Sequence, residues 1–139
     1  MNYWLLKTEP EDYSFADLMR NGRDMWDGVR NHTAQRHLRS MQPGDLAFIY
    51  HTGKERAIVG IAEVMTLAYP DPTADDPKWQ AVDVAARDPL PRPVTLQEIK
   101  SWPELAQWEL VRLPRLSVMP VPEQAWRMVM EAATDGARS

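Results

Sequence analysis

The sequence predicts an α+β fold built on a small, bent, mostly antiparallel β-sheet or barrel. About five strand-like segments are separated by helical segments of unequal length, without regular strand–helix alternation. Parallel α/β folds require that alternation, so its absence favours α+β. The 139 residues fit one domain, because a chain of this size buries about 70% of its unfolded surface.

The N-terminal segments predict a strand followed by a short helix. Residues 2–9 are aromatic and apolar, as expected of an opening strand. Ser14 and Asp17 have the spacing of a capping box, and Gly22 follows where a helix of about two turns would end. This helix is therefore predicted to begin after Ser14.

A second helix is predicted to begin after Asn31, whose side chain can accept a hydrogen bond from a free backbone N–H. One stripe of this helix is apolar and should face the core: Ala34, Leu38 and Met41. Another stripe is polar and basic: His32, Arg36 and Arg39. The helix is thus expected to pack with one face and present the other to solvent.

The remaining segments predict a sheet and a closing helix. Strands are expected at 46–51, 57–69, 79–87 and 115–121, and residues 89–105 are expected to form an irregular crossing followed by one or two short helical turns. A proline opens a helix predicted over 122–133. We expect one domain over 1–134 and a frayed tail over 135–139.

Composition excludes several classes of protein. A net charge of −4 disfavours a protein that coats nucleic acid non-specifically. Between Arg20 and Arg56, however, the sequence has seven basic and only four acidic residues. This local excess of positive charge suits either a confined anionic ligand or a solvated helix face. The chain has no cysteine, no long apolar run and no signal-like N-terminus. We expect a cytoplasmic protein without membrane contact.

Catalytic and metal-binding signatures are mostly missing. No phosphate loop or nucleophile elbow is present, and His32 and His37 are too far apart to share a helix face as a zinc pair. We therefore predict no metal and no cofactor. His51 with a nearby carboxylate remains the candidate acid–base pair of an enzyme acting on nucleic acid or a nucleotide.

Two of the six tryptophans stand at element boundaries beside polar residues. Trp26 precedes Asp27 and Gly28, and Trp79 follows Lys78. An indole there can pack in the core or form the wall of a pocket for a planar ligand, on which a base would stack. In the last strand, Arg115 and Ser117 share one face, and the Ser117 hydroxyl can both donate and accept.

Six motifs, taken in order, carry a family resemblance: YWLLKTEP, MWDGVRN, MQPGDLAFIYHT, AYPDPT, KWQAVDV and RLSVMPV. Together they resemble the EVE domain, the small domain shared with the thymocyte nuclear protein family. The resemblance implies a PUA-like fold, a compact mixed β-barrel with peripheral helices. It also implies a non-catalytic reader that takes one modified base of DNA or RNA, single-stranded or flipped, into an aromatic-lined pocket.

The resemblance also assigns residues by matching motif. The implied base-binding pocket consists of Trp26, Asn31, Tyr50, His51, Trp79 and Ser117. The implied phosphate or base-edge contacts are Arg30, His32, Arg36, Arg39, Lys78 and Arg115. It implies no cofactor, and we favour a monomer.

The chain departs from the family pattern directly after Asn31. The family usually continues with YQARN, whereas residues 32–36 here are HTAQR, so that His32 replaces a tyrosine. If that tyrosine touches the ligand, His32 would alter base preference. Two alternatives stay open: the enzyme described above, and a module that binds a free small molecule in the same pocket.

Overall fold

The computed structural model describes residues 1–138, with side chains to residue 134, so the tail predicted at 135–139 lies largely outside the described side chains. The strands are β1 Tyr3–Thr8, β2 Arg23–Trp26, β3 Leu46–His51, β4 Ala57–Val64, β5 Tyr69–Pro70, β6 Gln80–Thr95 and β7 Val118–Pro120. The helices are α1 Phe15–Asn21, α2 His32–Arg39, α3 Leu96–Lys100, α4 Glu109–Arg112 and α5 Glu123–Arg138, with a 3₁₀ turn at Pro103–Leu105.

The strands form one curled sheet with the order β2-β6-β4-β3-β1-β7, and β5 pairs with the start of β6. Only the β1–β3 pair is parallel among the described strands, whereas the other pairs are antiparallel. The sheet therefore has the predicted mixed, mostly antiparallel character. It forms a half-barrel with helices at its periphery, which confirms the α+β prediction.

Three segments of the sheet differ from the sequence prediction. The strand predicted over 57–69 is β4 up to Val64, and Tyr69 belongs to the separate strand β5. The predicted irregular crossing is a strand up to Thr95, because β6 continues along β4 through residues with prolines at 89, 91 and 93. Pro91 and Pro93 fall between the Gly60–Pro89 and Ile58–Val94 pairs, where the register shifts. They have no paired residue on β4 there, so the ladder loses no donor at these two prolines. The four-residue strand β2 was not predicted.

The predicted helix signals are confirmed. Ser14 and Asp17 form a reciprocal capping box, and the Asn31 side chain accepts a hydrogen bond from the Ala34 N–H at 2.9 Å. The apolar stripe of α2 is buried, together with the amide of Gln35. The Asn31 cap matters for the site because it fixes the C-terminal end of the segment between β2 and α2.

Aromatic packing holds the sheet to its neighbours. The Trp126 indole of α5 is sandwiched between Tyr3 and Phe48, with ring centroids 4.2 and 3.9 Å away. Gly60 lies beneath the Phe15 ring, where an added Cβ would come within 2.4 Å of a ring carbon. Glycine is therefore required where β4 shifts register against β6 and the sheet bends.

No described helix is long and apolar enough to cross a membrane.

Candidate functional site

A cavity of about 300 Å³ opens between the end of β1 and the edge strand β2. Its lining consists of Lys7, Thr8, Tyr13, Asp24, Met25, Trp26 and Asp27. This volume lies at the lower end of the range for small-molecule sites, so it suits a ligand with one ring system. We call this cavity the β1–β2 pocket.

Lys7, which lines this pocket, lies abreast of two further polar side chains on neighbouring strands, Tyr50 and Ser117, and neither of these is among the lining residues. Lys7 is paired with Tyr50 in the parallel β1–β3 ladder, and its ammonium lies 5.4 Å from the Tyr50 ring centroid. The Lys7 N–H donates to the Ser117 carbonyl at 3.0 Å, which places Ser117 directly opposite Lys7 on the other side. Opposite residues of antiparallel strands share a face, so the three side chains form one row.

The Tyr50 hydroxyl points to an accessible surface although the residue is only 3% exposed. It has no hydrogen-bond partner in the part of the chain that the structure describes, yet no fully buried side-chain polar atom there lacks one. The hydroxyl must therefore reach solvent. Burial raises the pKa of Tyr50, an effect partly opposed by the Arg56 charge, so the group remains a donor.

Lys7 has spare donors at the pocket. Its Nζ donates to the Pro114 carbonyl at 2.9 Å, while an ammonium carries three N–H groups. Half-burial lowers the pKa of Lys7 below its usual value. Lys7 was not among the predicted site residues, although a lysine near the end of an otherwise apolar strand is a usable signal.

Trp26 and Tyr13 form the aromatic part of the pocket lining. Their rings meet edge to face, with centroids 6.3 Å apart and planes at 79°. The Tyr13 hydroxyl donates to Asp24 at 2.6 Å, and this hydrogen bond is the main cause of the lowered pKa of Asp24. Trp26 is 8% exposed, so most of its surface serves the core and only a small part faces the cavity.

The charge of the pocket lining favours a neutral ligand group. Two carboxylates, Asp24 and Asp27, stand against one ammonium, Lys7. Asp24 is occupied by Tyr13, Asn21 and a backbone N–H, whereas the exposed Asp27 carboxylate has no hydrogen-bond partner among the described residues. A phosphate would be repelled here, while an amino group would find an acceptor.

A buried carboxylate fixes the loop after Trp26. Asp71 accepts hydrogen bonds from Gly28 N–H at 2.8 Å, from Arg30 at 3.0 Å, and from both the backbone and hydroxyl of Thr73. Burial would raise the pKa of Asp71, but these hydrogen bonds outweigh it and lower the pKa to about 2. We call Asp71 with Gly28, Arg30 and Thr73 the Asp71 clamp.

Trp79 lies in a separate aromatic cluster and is not among the residues lining the β1–β2 pocket. The His32 ring stacks on its indole, with centroids 5.2 Å apart and planes at 26°. The Arg30 guanidinium carbon and Lys78 Nζ lie 5.8 and 5.0 Å from the same indole centroid. The structure thus brings together His32, Trp79, Arg30 and Lys78, at the other side of the Asp71 clamp.

Asn31 and Arg115 line another cavity, of about 380 Å³, with Thr33, Arg112 and Leu116 among its walls. The Asn31 side-chain oxygen is engaged as the helix cap. Arg36 and Arg39 are exposed on α2 and have no ion-pair partner among the described residues. These predicted contacts therefore lie around the pocket rather than in it.

His51 is placed differently from the other predicted pocket residues. Its Nε2 accepts the Phe15 N–H at the start of α1 at 3.0 Å, and its Nδ1 lies 2.7 Å from the Glu55 carboxylate. With Nε2 as acceptor, Nδ1 must donate, so the neutral ring has no nitrogen left for a ligand. The described residues contain no group of three metal-ligating side chains.

The geometry can be compared with known proteins. A family profile of the EVE domain matches residues 2–132. Thymocyte nuclear protein 1 of Mus musculus is 33% identical over 93% of this chain and 72% of its own length.

Two solved structures extend this comparison. A protein from Agrobacterium tumefaciens is 40% identical, with TM-score 0.93 over 96% of this chain and 93% of its own. The human THYN1 protein, solved in complex with 5-methylcytosine-containing DNA, is 30% identical, with TM-score 0.88 over 96% of this chain and 98% of its own. The chain therefore belongs to the EVE domain family.

Proposed function

We propose that this protein is a non-catalytic nucleic-acid-binding module that takes one modified nucleobase into the β1–β2 pocket. The observation that carries this proposal is the pocket lined by Lys7 and by the small exposed part of Trp26, with Ser117 and Tyr50 in one row with Lys7. A flat apolar surface next to convergent donors is what recognition of a single base requires. A human relative bound to 5-methylcytosine-containing DNA supports a modified base in DNA as the ligand.

The charges around the pocket support separate binding places for the base and for the phosphates of the nucleic-acid backbone. The base is neutral and enters a pocket lined by two carboxylates and one ammonium, whereas the phosphates stay outside, near cations such as Arg30 and Arg115. The unpartnered Asp27 carboxylate is suited to accept a hydrogen bond from an exocyclic amino group, as carboxylates do from cytosine. We therefore favour a modified cytosine or adenine over a modified thymine or uracil.

The enzyme alternative is less well supported by the geometry. Its acid–base candidate, His51, uses both ring nitrogens within the protein. A general base needs a free lone pair within reach of its substrate. We therefore assign His51 to positioning α1 behind the pocket and assign no catalytic residue.

The test is a binding screen by fluorescence anisotropy at fixed salt. Short single-stranded and duplex DNA and RNA oligonucleotides would carry one modified base, with 5-methylcytosine included, or its unmodified counterpart. We expect one modified amino-bearing base to bind about tenfold or more tightly than its counterpart, in line with 1–3 kcal/mol per base contact. Equal affinity for modified and unmodified strands throughout would overturn the proposed reader.

The pocket is tested with Trp26→Phe rather than alanine, because truncating a buried indole to alanine would cost about 3–5 kcal/mol of stability. We expect about fivefold weaker binding, since the smaller ring stacks less well. The matched control is Trp102→Phe, a half-buried tryptophan near α5 that lines a different cavity. Wild-type affinity in a folded Trp26→Phe variant would contradict the pocket assignment.

A further inference from the structure

The His32–Trp79 stack is an exposed aromatic surface that the single-base pocket does not use. His32 is exposed and Trp79 half-buried, so the outer face of the imidazole is open to solvent. Core aromatics bury both faces, whereas this pair buries only the inner one. The arrangement is that of a stacking surface with one vacant side.

Cations border this stack on its indole side. Arg30 is held in place by Asp71, whose side chain is fully buried, and also reaches the Thr73 hydroxyl at 3.3 Å. Lys78 is paired with Asp76 only at 3.8 Å, with both side chains about half exposed. An oriented guanidinium and a loosely paired ammonium beside aromatic rings match the chemistry of a nucleotide, which offers a phosphate and a base.

The stack and the β1–β2 pocket belong to one rigid frame. Asp71 accepts from Gly28 and Arg30 and donates its own N–H to the Trp79 carbonyl at 2.8 Å. Buried Gln35 adds two hydrogen bonds to the backbone of Gln80, the next residue. Trp26 and Arg30 are four residues apart, a separation of at most about 14 Å between Cα atoms. A strand of a few nucleotides can span this distance.

We propose that the His32–Trp79 stack holds the base of a nucleotide flanking the one in the pocket, so that the protein grips at least two bases of one strand. This inference rests on the proposed function and adds a second contact to it. Arg30 and Lys78 would contact the phosphates that connect the two bases. Affinity would then depend on a neighbouring base whose identity is not read, because stacking tolerates every base.

The experiment uses single strands that carry the preferred modified base, with the neighbouring nucleotides either intact or replaced by abasic sites. Abasic sites keep the phosphates, so they remove stacking alone. We expect an abasic neighbour on one side to weaken wild-type binding about fivefold to tenfold. The same replacement should have no effect in Trp79→Ala or His32→Ala, while Trp102→Ala should keep the full wild-type penalty.

The free modified nucleoside separates this inference from the proposed function. Its affinity for the pocket should be equal in wild type and Trp79→Ala. An equal abasic penalty in wild type and both stack variants, or no penalty on either side, would overturn the stack and leave the pocket standing. Absence of any binding by folded wild-type protein would overturn both.

Discussion

The Asp71 clamp and the row of Ser117, Lys7 and Tyr50 use polar groups in opposite ways. Asp71 is 2% exposed and its two carboxylate oxygens accept four side-chain or backbone donors. In the row, the Tyr50 hydroxyl has no partner among the described residues and Lys7 uses one donor of three. The satisfied polar groups of Asp71 hold the loop in place, whereas the unsatisfied groups of the row remain available for a contact.

The largest effect is expected from Asp71→Asn. The asparagine amide has only one acceptor oxygen, and its NH₂ group would point at donors that now bind the carboxylate. We therefore expect the free energy of unfolding to fall by about 2–3 kcal/mol. Urea unfolding followed by circular dichroism would measure this. The matched control is Asp76→Asn in the same loop, at a half-exposed carboxylate, where we expect less than about 0.5 kcal/mol.

The difference in stability between wild type and Asp71→Asn should depend on pH. The pKa of Asp71 is lowered to about 2, so its contribution is complete above the unfolded value near 3.8 and is lost as pH falls towards 2. The difference between the folded and unfolded pKa values corresponds to about 2 kcal/mol of folding stability. The stability gap between wild type and Asp71→Asn should narrow over this window. A gap that stays constant would mean that the charge does not hold the clamp.

An intermediate effect is expected from Lys7→Met, which keeps a side chain of similar length but removes the ammonium and its spare donors. We expect about tenfold weaker binding of the preferred oligonucleotide and a change in stability below about 1 kcal/mol. Measuring the affinity at several salt concentrations then distinguishes a contact of Lys7 with the base from one with a phosphate. A base contact leaves the salt slope unchanged, while a phosphate contact lowers it by about one. Lys54→Met is the control at an exposed lysine outside the row, and a loss equal to that of Lys7→Met would refute a specific contact.

The smallest effect concerns His37, which lies on α2 with its ring 6.3 Å from Trp4. Burial and the Arg36 charge lower its pKa, partly opposed by Glu109. The unfolded state therefore binds the proton more readily, and stability should fall as pH drops below about 6.5. In His37→Gln this part of the decline should be absent when thermal melts are compared between pH 7 and pH 5.

Local signals in the sequence were sufficient for the helices α1, α2 and α5 and for most of the sheet, but not for the four-residue helix α4. Ser14 and Asn31 are caps because their chemistry acts within three residues, so sequence proximity carries the information. The edge strand β2 and the extension of β6 were missed for the opposite reason. The partners of β2 lie about 60 positions along the chain and those of the β6 extension about 30 to 40, and a run with alternating prolines has no local strand signal.

The candidate site shows the same division. The motif residue Trp26 lines the pocket, whereas Tyr50 and Ser117 lie on either side of Lys7, a pocket residue that was not among the predicted site residues. His51 was grouped with Tyr50 because both belong to a motif that carries the family resemblance, although neighbours in a strand point to opposite faces. Trp79 was grouped with Trp26, and only the folded chain separates the two clusters. Which polar group is already satisfied cannot be read from residue type.

The position of β1 in the sheet determines when the site comes into existence during folding. Lys7 is anchored to the Pro114 carbonyl, 107 positions along the chain, and its strand lies between β3 and β7. Contacts of such separation form late, since the entropy of closing the intervening chain must be overcome first. A nascent chain that has not yet delivered β7 to the sheet lacks both Ser117 and the anchor of Lys7. Ligand-binding competence should therefore appear together with the completed fold.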